Sequence, residues 1–383
     1  TLFENLFPIP SGVSYNSYLI LDEKTCVMDS ADASVKESFL ENLKTGLNGR
    51  ALDYFVVHHL EPDHSAVLID ILKEYPDVTL VLNSKSYSML KSFLNEPMEF
   101  NYQLVSEKEG LKLGSHELVF VMAPMVHWPE VMVSYDKKDK ILFSADAFGT
   151  FGALNGNIFN DELVIDNYFY SEARRYYTNI VGKFGVAVQG LLKKASSLDI
   201  SMICPLHGPI WRNNFTDLIH HYDLWSKYQE EDNDIVIIYG SMYQHTYQAC
   251  CELALRLADK GILNIAMYDV SKTDVSYLIS EIFRCKHILL ACPTYNGGIY
   301  PKMHNLLIDL EALNVSNKNI GIIENGSWAP MAGKKMREHL STLKNIYFME
   351  NQLTIQTILK DSNEEALNLF IDEIVGLYNN NKK

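Results

Sequence analysis

The stretch HHLEPDHSAV, His58–Val67, follows the apolar run LDYFVV (52–57) and sets His59, Glu61, Asp63 and His64 at i, i+2, i+4 and i+5. Residues i, i+2 and i+4 of an extended segment point the same way. Pro62 stiffens the turn. The helical pattern SAVLIDILKEY, which starts near Ser65, fixes the last of the four side chains. Two imidazoles and two carboxylates just past a buried strand make this a candidate metal-ligand loop.

Three single residues extend the pattern. APMVHWPE puts His127 just beyond an apolar strand, LFSADAFG puts Asp146 at the end of another, and ICPLHGP puts His207 at the end of a third. Each alone reads as a hydrogen-bonded core histidine or a turn-forming aspartate. Four such placements on one region are a poor fit to coincidence, and a carboxylate ending LFSAD is costly to bury unless paired or metal-bound. The pooled set is four imidazoles (His59, His64, His127, His207) and three carboxylates (Glu61, Asp63, Asp146). Zinc favours nitrogen and sulfur in closed tetrahedra, whereas anionic oxygen donors suit iron.

Around that loop, the first ~230 residues read as short strands in hairpins with intervening helices. NSYLILDEKTCVMDS turns at Glu23-Lys24, VTLVLN and ELVFVMAP are strands, and VMVSYDKKDKILFSAD is the clearest hairpin. KSYSMLKSFL and NIVGKFGVAVQGLLKKASSL read as helices, and the whole suggests two sheets covered by helices. The polar run YQEEDND (228–234) marks a change of pattern, giving domains 1–232 and 233–383. Beyond it, five strand–helix pairs with continuous apolar strands (DIVIIYG, LNIAMYDV, HILLACPT, KNIGIIEN, IYFMENQL) predict a doubly wound parallel sheet. Ligands of such sheets bind at the strand carboxyl ends.

The first strand-to-helix turn there is SMYQHTYQ, in which Ser241, Met242, Tyr243, Gln244, His245 and Thr246 form a candidate phosphate loop. Hydroxyls and helix-start N–H groups hold a monophosphate without lysine. GxxxxGK[ST] and GxGxxG are both absent, which disfavours nucleoside triphosphates and dinucleotides. After the third strand, Pro293, Thr294, Tyr295, Asn296 and Gly297 offer polar contacts and close backbone approach. After the fourth, Asn325, Gly326, Ser327 and Trp328 add an aromatic platform.

Composition bounds the rest. The chain has 383 residues, 47% apolar and 21% charged, with a formal charge of −15. That charge argues against a nucleic-acid partner, and no apolar run is long enough to span a bilayer. TLFENLFPIPSG lacks a basic n-region, so no secretory signal is expected. Six cysteines, none in C-x-x-C, predict buried thiols in a reducing compartment, the cytoplasm.

The order H-x-(H/E)-x-D-H, then His, Asp and His resembles the metallo-β-lactamase-like fold, an αββα sandwich with a dinuclear site at the sheet edge. Hydrolases of that fold carry a second His where this chain has Glu61. A Glu there resembles the flavodiiron proteins, and the flavodoxin-like half behind it matches their architecture over essentially the entire chain. SMYQHT resembles the S/T-M-Y-x-x-T loop of flavodoxins, although Gln244 and His245 stand where the family often has small residues. The resemblance implies an oxo- or hydroxo-bridged diiron site plus FMN, and reduction of O2 to water, NO to N2O, or both. One iron would take His59, Glu61 and His127, the other Asp63, His64 and His207, with Asp146 bridging. It also implies a head-to-tail homodimer, or a dimer of dimers, in which the flavin of one subunit faces the irons of the other. The sequence ends in LYNNNKK without a C-x-x-C unit, as in the two-domain class, whose external donor is rubredoxin or a reduced deazaflavin.

Tyr176 and Tyr177 in RRYYTNI, and Trp128 beside His127, are candidates to face the open coordination site, against packing as the plainer role. His58, His116, His220, His221 and His287 fit no ligand position and read as surface or packing residues. Two other functions compete: a zinc hydrolase of the metallo-β-lactamase fold with a fused flavodoxin domain, and an electron carrier with a vestigial metal site.

Overall fold

The computed structural model describes residues 1–94 and 96–380. The last three residues of the LYNNNKK end lie outside the described residues. The chain divides into two compact units, Thr1–Asp223 and Leu224–Lys383.

The first unit is an αββα sandwich. One sheet runs in the order Tyr18–Leu21, Thr25–Met28, Tyr54–Val56, Thr79–Leu82, Asn101–Leu104. The other runs Trp211–Arg212, Met202–Cys204, Ile141–Phe143, Met132–Asp136, Glu117–Met122, Gly110–Lys112. Alternation along the strands builds both layers at once. Val27, Phe55, Leu80 and Leu82 pack with Leu43, Leu47, Leu68 and Ile71 of the covering helices. Their neighbours Cys26, Met28, Val56 and Val81 face Phe120, Met132, Phe143 and Cys204 of the second sheet. Each fully buried side chain of this kind contributes roughly 1.5–3 kcal/mol.

Ile141–Phe143 and Met202–Cys204 pair parallel, and Glu117–Met122 runs in the same direction through the antiparallel strand between them. Their carboxyl ends therefore share one edge of the sheet, and His127, Asp146 and His207 all follow those ends. The helix expected over NIVGKFGVAVQGLLKKASSL is interrupted. Helix Asn167–Tyr176 opens into a wide turn at Tyr177–Val181 and a tight one at Gly182–Phe184 before Gly185–Ala195 resumes. Strands Asn101–Leu104 and Gly110–Lys112 have no counterpart in the sequence reading, because they are short edges with mostly polar, exposed residues.

The second unit has the strand order Ile265–Asp269, Asp232–Tyr239, Cys285–Tyr295, Asn319–Asn325, then Tyr347–Phe348 and Leu353–Ile355, all parallel. That is a doubly wound sheet with its switch point between the first and third strands. IYFMENQL, expected as one strand, is split. The Glu373 carboxylate accepts from the N–H groups of Glu350 and Asn351 at 2.8 Å each, which removes them from the ladder.

His287 is buried on the third strand between Asn233 Oδ1 (3.0 Å) and Asn319 Nδ2 (3.3 Å). The amide donates to Nδ1, so Nε2 carries the proton and the ring is neutral. Burial, and then Lys286 beside it, pushes its pKa down from 6.5 to about 4. Below pH 6.5 the unfolded chain takes up a proton that the folded ring refuses. Stability is therefore present above that pH and lost down to about pH 4, by roughly 3 kcal/mol. Urea unfolding of the chain between pH 7 and 4 is expected to show this slope, and His287→Gln to flatten it.

Candidate metal centre and strand-end cavity

The loop after Tyr54–Val56 and the three strand ends bring all seven donors together. His59 Nε2 lies 3.1 Å from Asp146 Oδ2 and 3.6 Å from Glu61 Oε2. His127 Nε2 lies 2.8 Å from Glu61 Oε2 and 3.2 Å from the same Asp146 oxygen. The other Asp146 oxygen, Oδ1, faces His64 Nε2 at 3.3 Å and His207 Nε2 at 3.8 Å. Asp63 Oδ2 lies 3.3 and 3.2 Å from those two nitrogens, which are themselves 2.9 Å apart. The donors thus fall into two sets, His59–Glu61–His127 and Asp63–His64–His207, with one oxygen of Asp146 turned to each.

This arrangement fits a pair of cations. His59, His64, Asp146 and His207 are at most 1% exposed, and burial alone would drive their carboxylates and imidazoles to neutrality. Burial raises the Asp146 carboxyl, yet His59 and His127 hold it well below the usual range. Burial lowers His127, but its hydrogen bonds to the Asp146 and Glu61 carboxylates bring it up to about 10. The carboxylates stay anionic and demand positive charge at the imidazole nitrogens. Two dications on the same nitrogen and oxygen lone pairs meet that demand. The His116, Asp136 and Asp139 cluster differs, because Lys138 Nζ already sits 3.2 Å from His116 Nε2.

In the second unit a cavity of about 560 Å³ opens at the strand carboxyl ends. Its lining includes Ser241, Met242, Tyr243, His245 and Thr246, then Pro293, Thr294, Tyr295, Asn296 and Gly297, then Asn325, Gly326, Ser327 and Trp328. Gln244 is not part of the lining. It takes the left-handed conformation (φ 69°) that turns the chain into helix His245–Asp259, and it provides no side-chain cap. Ser241 Oγ instead accepts from Tyr247 N at 3.3 Å, and a helix start of this kind suits a phosphate. Thr294 lines the cavity, and its hydroxyl oxygen accepts from Met331 and Ala332 N–H at 2.8 and 3.1 Å at the start of the next helix. Thr357, Ala329 and Met331 complete the wall.

The ODP family beta lactamase model matches residues 13–208. The anaerobic nitric oxide reductase flavorubredoxin of Aliivibrio fischeri is 32% identical over 339 residues, 88% of this chain and 68% of that protein. Rubredoxin oxygen:oxidoreductase from Desulfovibrio gigas superposes with a TM-score of 0.91 at 26% identity, over 98% of this chain and 94% of that one. The flavodiiron protein from Giardia intestinalis gives 0.91 and 26% over 99% and 93%. The chain belongs to the flavodiiron protein family.

The flavodiiron loop is held by residues that the sequence reading passed over. Asp29 Oδ1 accepts from His58 N at 2.8 Å, Asp29 Oδ2 meets His58 Nδ1 at 2.5 Å, and His58 Nε2 meets Ser134 Oγ at 2.8 Å. All three residues are buried, so this Asp–His–Ser chain is a clamp next to His59 rather than a nucleophile. Glu130 Oε1 accepts from Leu60 N at 3.0 Å, and Ser30 Oγ donates to His64 O at 2.8 Å. On the far side His207 Nδ1 bonds Ser14 O at 2.7 Å, which turns Nε2 toward the metals. Gly208, at φ +78°, has no room for a side chain: a Cβ would meet Thr150 Cγ2 at 2.2 Å.

Of the three candidates for the open position, Tyr176 is placed beside the centre. The Tyr176 ring lies 5.4 Å from that of His207, and its hydroxyl is buried without a hydrogen-bond partner. Gly149 makes that approach possible, since a Cβ there would stand 2.9 Å from Tyr176 Cε1. Tyr177 packs its ring 5.0 Å from Tyr222. Trp128 contributes its carbonyl, which closes the turn that carries His127 by accepting from Met125 N at 2.8 Å.

Proposed function

We propose that this chain reduces O2 to water, NO to N2O, or both, with electrons passed through FMN from an external donor such as rubredoxin or a reduced deazaflavin. The observation that carries the reading is the Asp146 carboxylate, whose two oxygens face separate imidazole–carboxylate sets. In this proposal residues 1–232 hold the metals and 233–383 the FMN. His59, Glu61 and His127 would hold one iron and Asp63, His64 and His207 the other, with Asp146 turned to both. With both groups bound, FMN supplies electrons and the iron pair binds and activates the diatomic. The Ser241–Thr246 turn would hold the FMN phosphate, and Trp328 and Tyr295 would offer aromatic faces to the flavin.

The chain's own residues exclude water and deliver protons. The buried Tyr176 hydroxyl, unpaired beside His207, is assigned as a proton donor to the substrate oxygen. Tyr176→Phe is expected to lower turnover by about a hundredfold, the lower range for a lost general acid. Metal and FMN content should stay unchanged, and a solvent isotope effect should appear in the slowed step. Unaltered turnover would return Tyr176 to packing.

Trp328 and Tyr243 are 90% and 80% exposed at the cavity rim. Such a rim supports a head-to-tail homodimer, or a dimer of dimers, with the flavin of one subunit facing the metals of its partner. All six cysteines are free thiols, and among the described residues no helix is long and apolar enough to cross a membrane. The free thiols support a cytoplasmic setting. A zinc hydrolase is disfavoured because Glu61, 2.8 Å from His127, occupies the position of an imidazole in those enzymes. Anaerobic photoreduction, followed by mixing with O2 and with NO, tests the proposal. Rapid reoxidation yielding water or N2O supports it, whereas inert iron with esterase turnover on zinc overturns it.

A further inference from the structure

Helices Pro301–Ala312 and Ala332–Leu340 of the second unit carry an imidazole pair that neither the metal centre nor the cavity uses. His304 Nε2 and His339 Nε2 face each other at 3.0 Å, with ring centroids 4.7 Å apart. On its other side, His339 Nδ1 lies 3.1 Å from Glu311 Oε1. A carboxylate only accepts, so Nδ1 carries the proton, and Nε2 of the neutral ring keeps its lone pair toward His304. His304 and Glu311 are two turns apart and so share one face of their helix. Thr342 Oγ1 donates to the same Glu311 oxygen at 3.4 Å. An imidazole whose far nitrogen is held by a carboxylate is the usual state of a metal-ligating histidine.

We infer that His304 and His339 form a two-nitrogen site for a divalent transition-metal ion that prefers imidazole, with Zn2+ as the first occupant, and that Glu311 orients His339. Two bonds of about 2.1 Å spanning the nitrogens would meet at roughly 90°, and a tetrahedral angle needs them only about 0.4 Å further apart. The His339 and Glu311 side chains are 31% and 30% exposed, so water can reach the ion and complete its shell. Hard ions such as Mg2+ find no convergent oxygen set here and are excluded. A bound ion would tie together two helices whose preceding loops, at Pro293–Gly297 and Asn325–Ala329, line the cavity. It would therefore stiffen the cavity walls.

The test titrates Zn2+, with Mg2+ as control, into the full chain loaded with iron and FMN, and measures iron before and after. The expected result is one zinc bound per chain with iron retained, a rise in the thermal midpoint, and no response to Mg2+. His304→Gln is expected to abolish saturable zinc binding. Glu311→Gln, which leaves both ligands in place, should weaken it about tenfold. His339→Gln frees Glu311 as well and would disturb the helix contact, so the other two variants decide. Zinc uptake only at the expense of iron, no uptake, or unchanged affinity in both His304→Gln and Glu311→Gln would overturn the site and leave the pair a plain hydrogen bond. None of these outcomes bears on O2 or NO turnover.

Discussion

Asp146→Ala is expected to abolish turnover with both O2 and NO while FMN remains bound and reducible. Asp146 touches both donor sets, through Oδ2 at 3.1 and 3.2 Å and Oδ1 at 3.3 Å. Without it each set keeps one carboxylate, and the four converging imidazoles lose the anion that offsets two dications. A loss of several kcal/mol of metal-dependent stabilisation corresponds to roughly a thousandfold in rate. Iron analysis should fall below one ion per chain. Asp146→Asn retains one neutral oxygen and should lie between. If the alanine variant kept full electron-carrier function with no turnover to lose, the metal site would be vestigial.

The second large effect is expected from Asp29→Ala, in a residue that touches no proposed metal ligand side chain. It removes the partner of buried His58 and the acceptor for His58 N–H in one step. Breaking a buried, hydrogen-bonded pair by deleting one member costs about 3–5 kcal/mol. Asp29 also adopts φ +52°, which an alanine occupies less readily. Urea unfolding should show the loss, and iron occupancy should drop because the peptide entering His59 is no longer tethered. Asp29→Asn can keep one bond to His58 N and should recover part of the stability. Wild-type stability and iron content in Asp29→Ala would remove the clamp from this account.

The two domains differ in how much of them the sequence disclosed. The donors were legible because each follows an apolar strand, and chemistry at a strand end is a local signal. Ser241, Asn325 and Trp328 were legible for the same reason. Asp29, Ser134 and Glu130 were not, since they reach the loop from other strands and sit in no motif of their own. His58, read as surface or packing, is a buried hinge of that clamp for the same reason. Thr357 was missed because it follows the fifth strand, whose split by Glu373 depends on a helix some twenty residues away. Gln244 lies in the right loop, but it takes the left-handed turn into the helix and is not part of the cavity lining.

The most direct measurement is a crystal of the iron-reconstituted, FMN-loaded protein, with anomalous scattering recorded at the iron edge. Two iron peaks per chain are predicted, one within bonding distance of His59, Glu61 and His127 and the other of Asp63, His64 and His207, with Asp146 reaching both. A single peak, or none in protein grown with ample iron, would contradict the account.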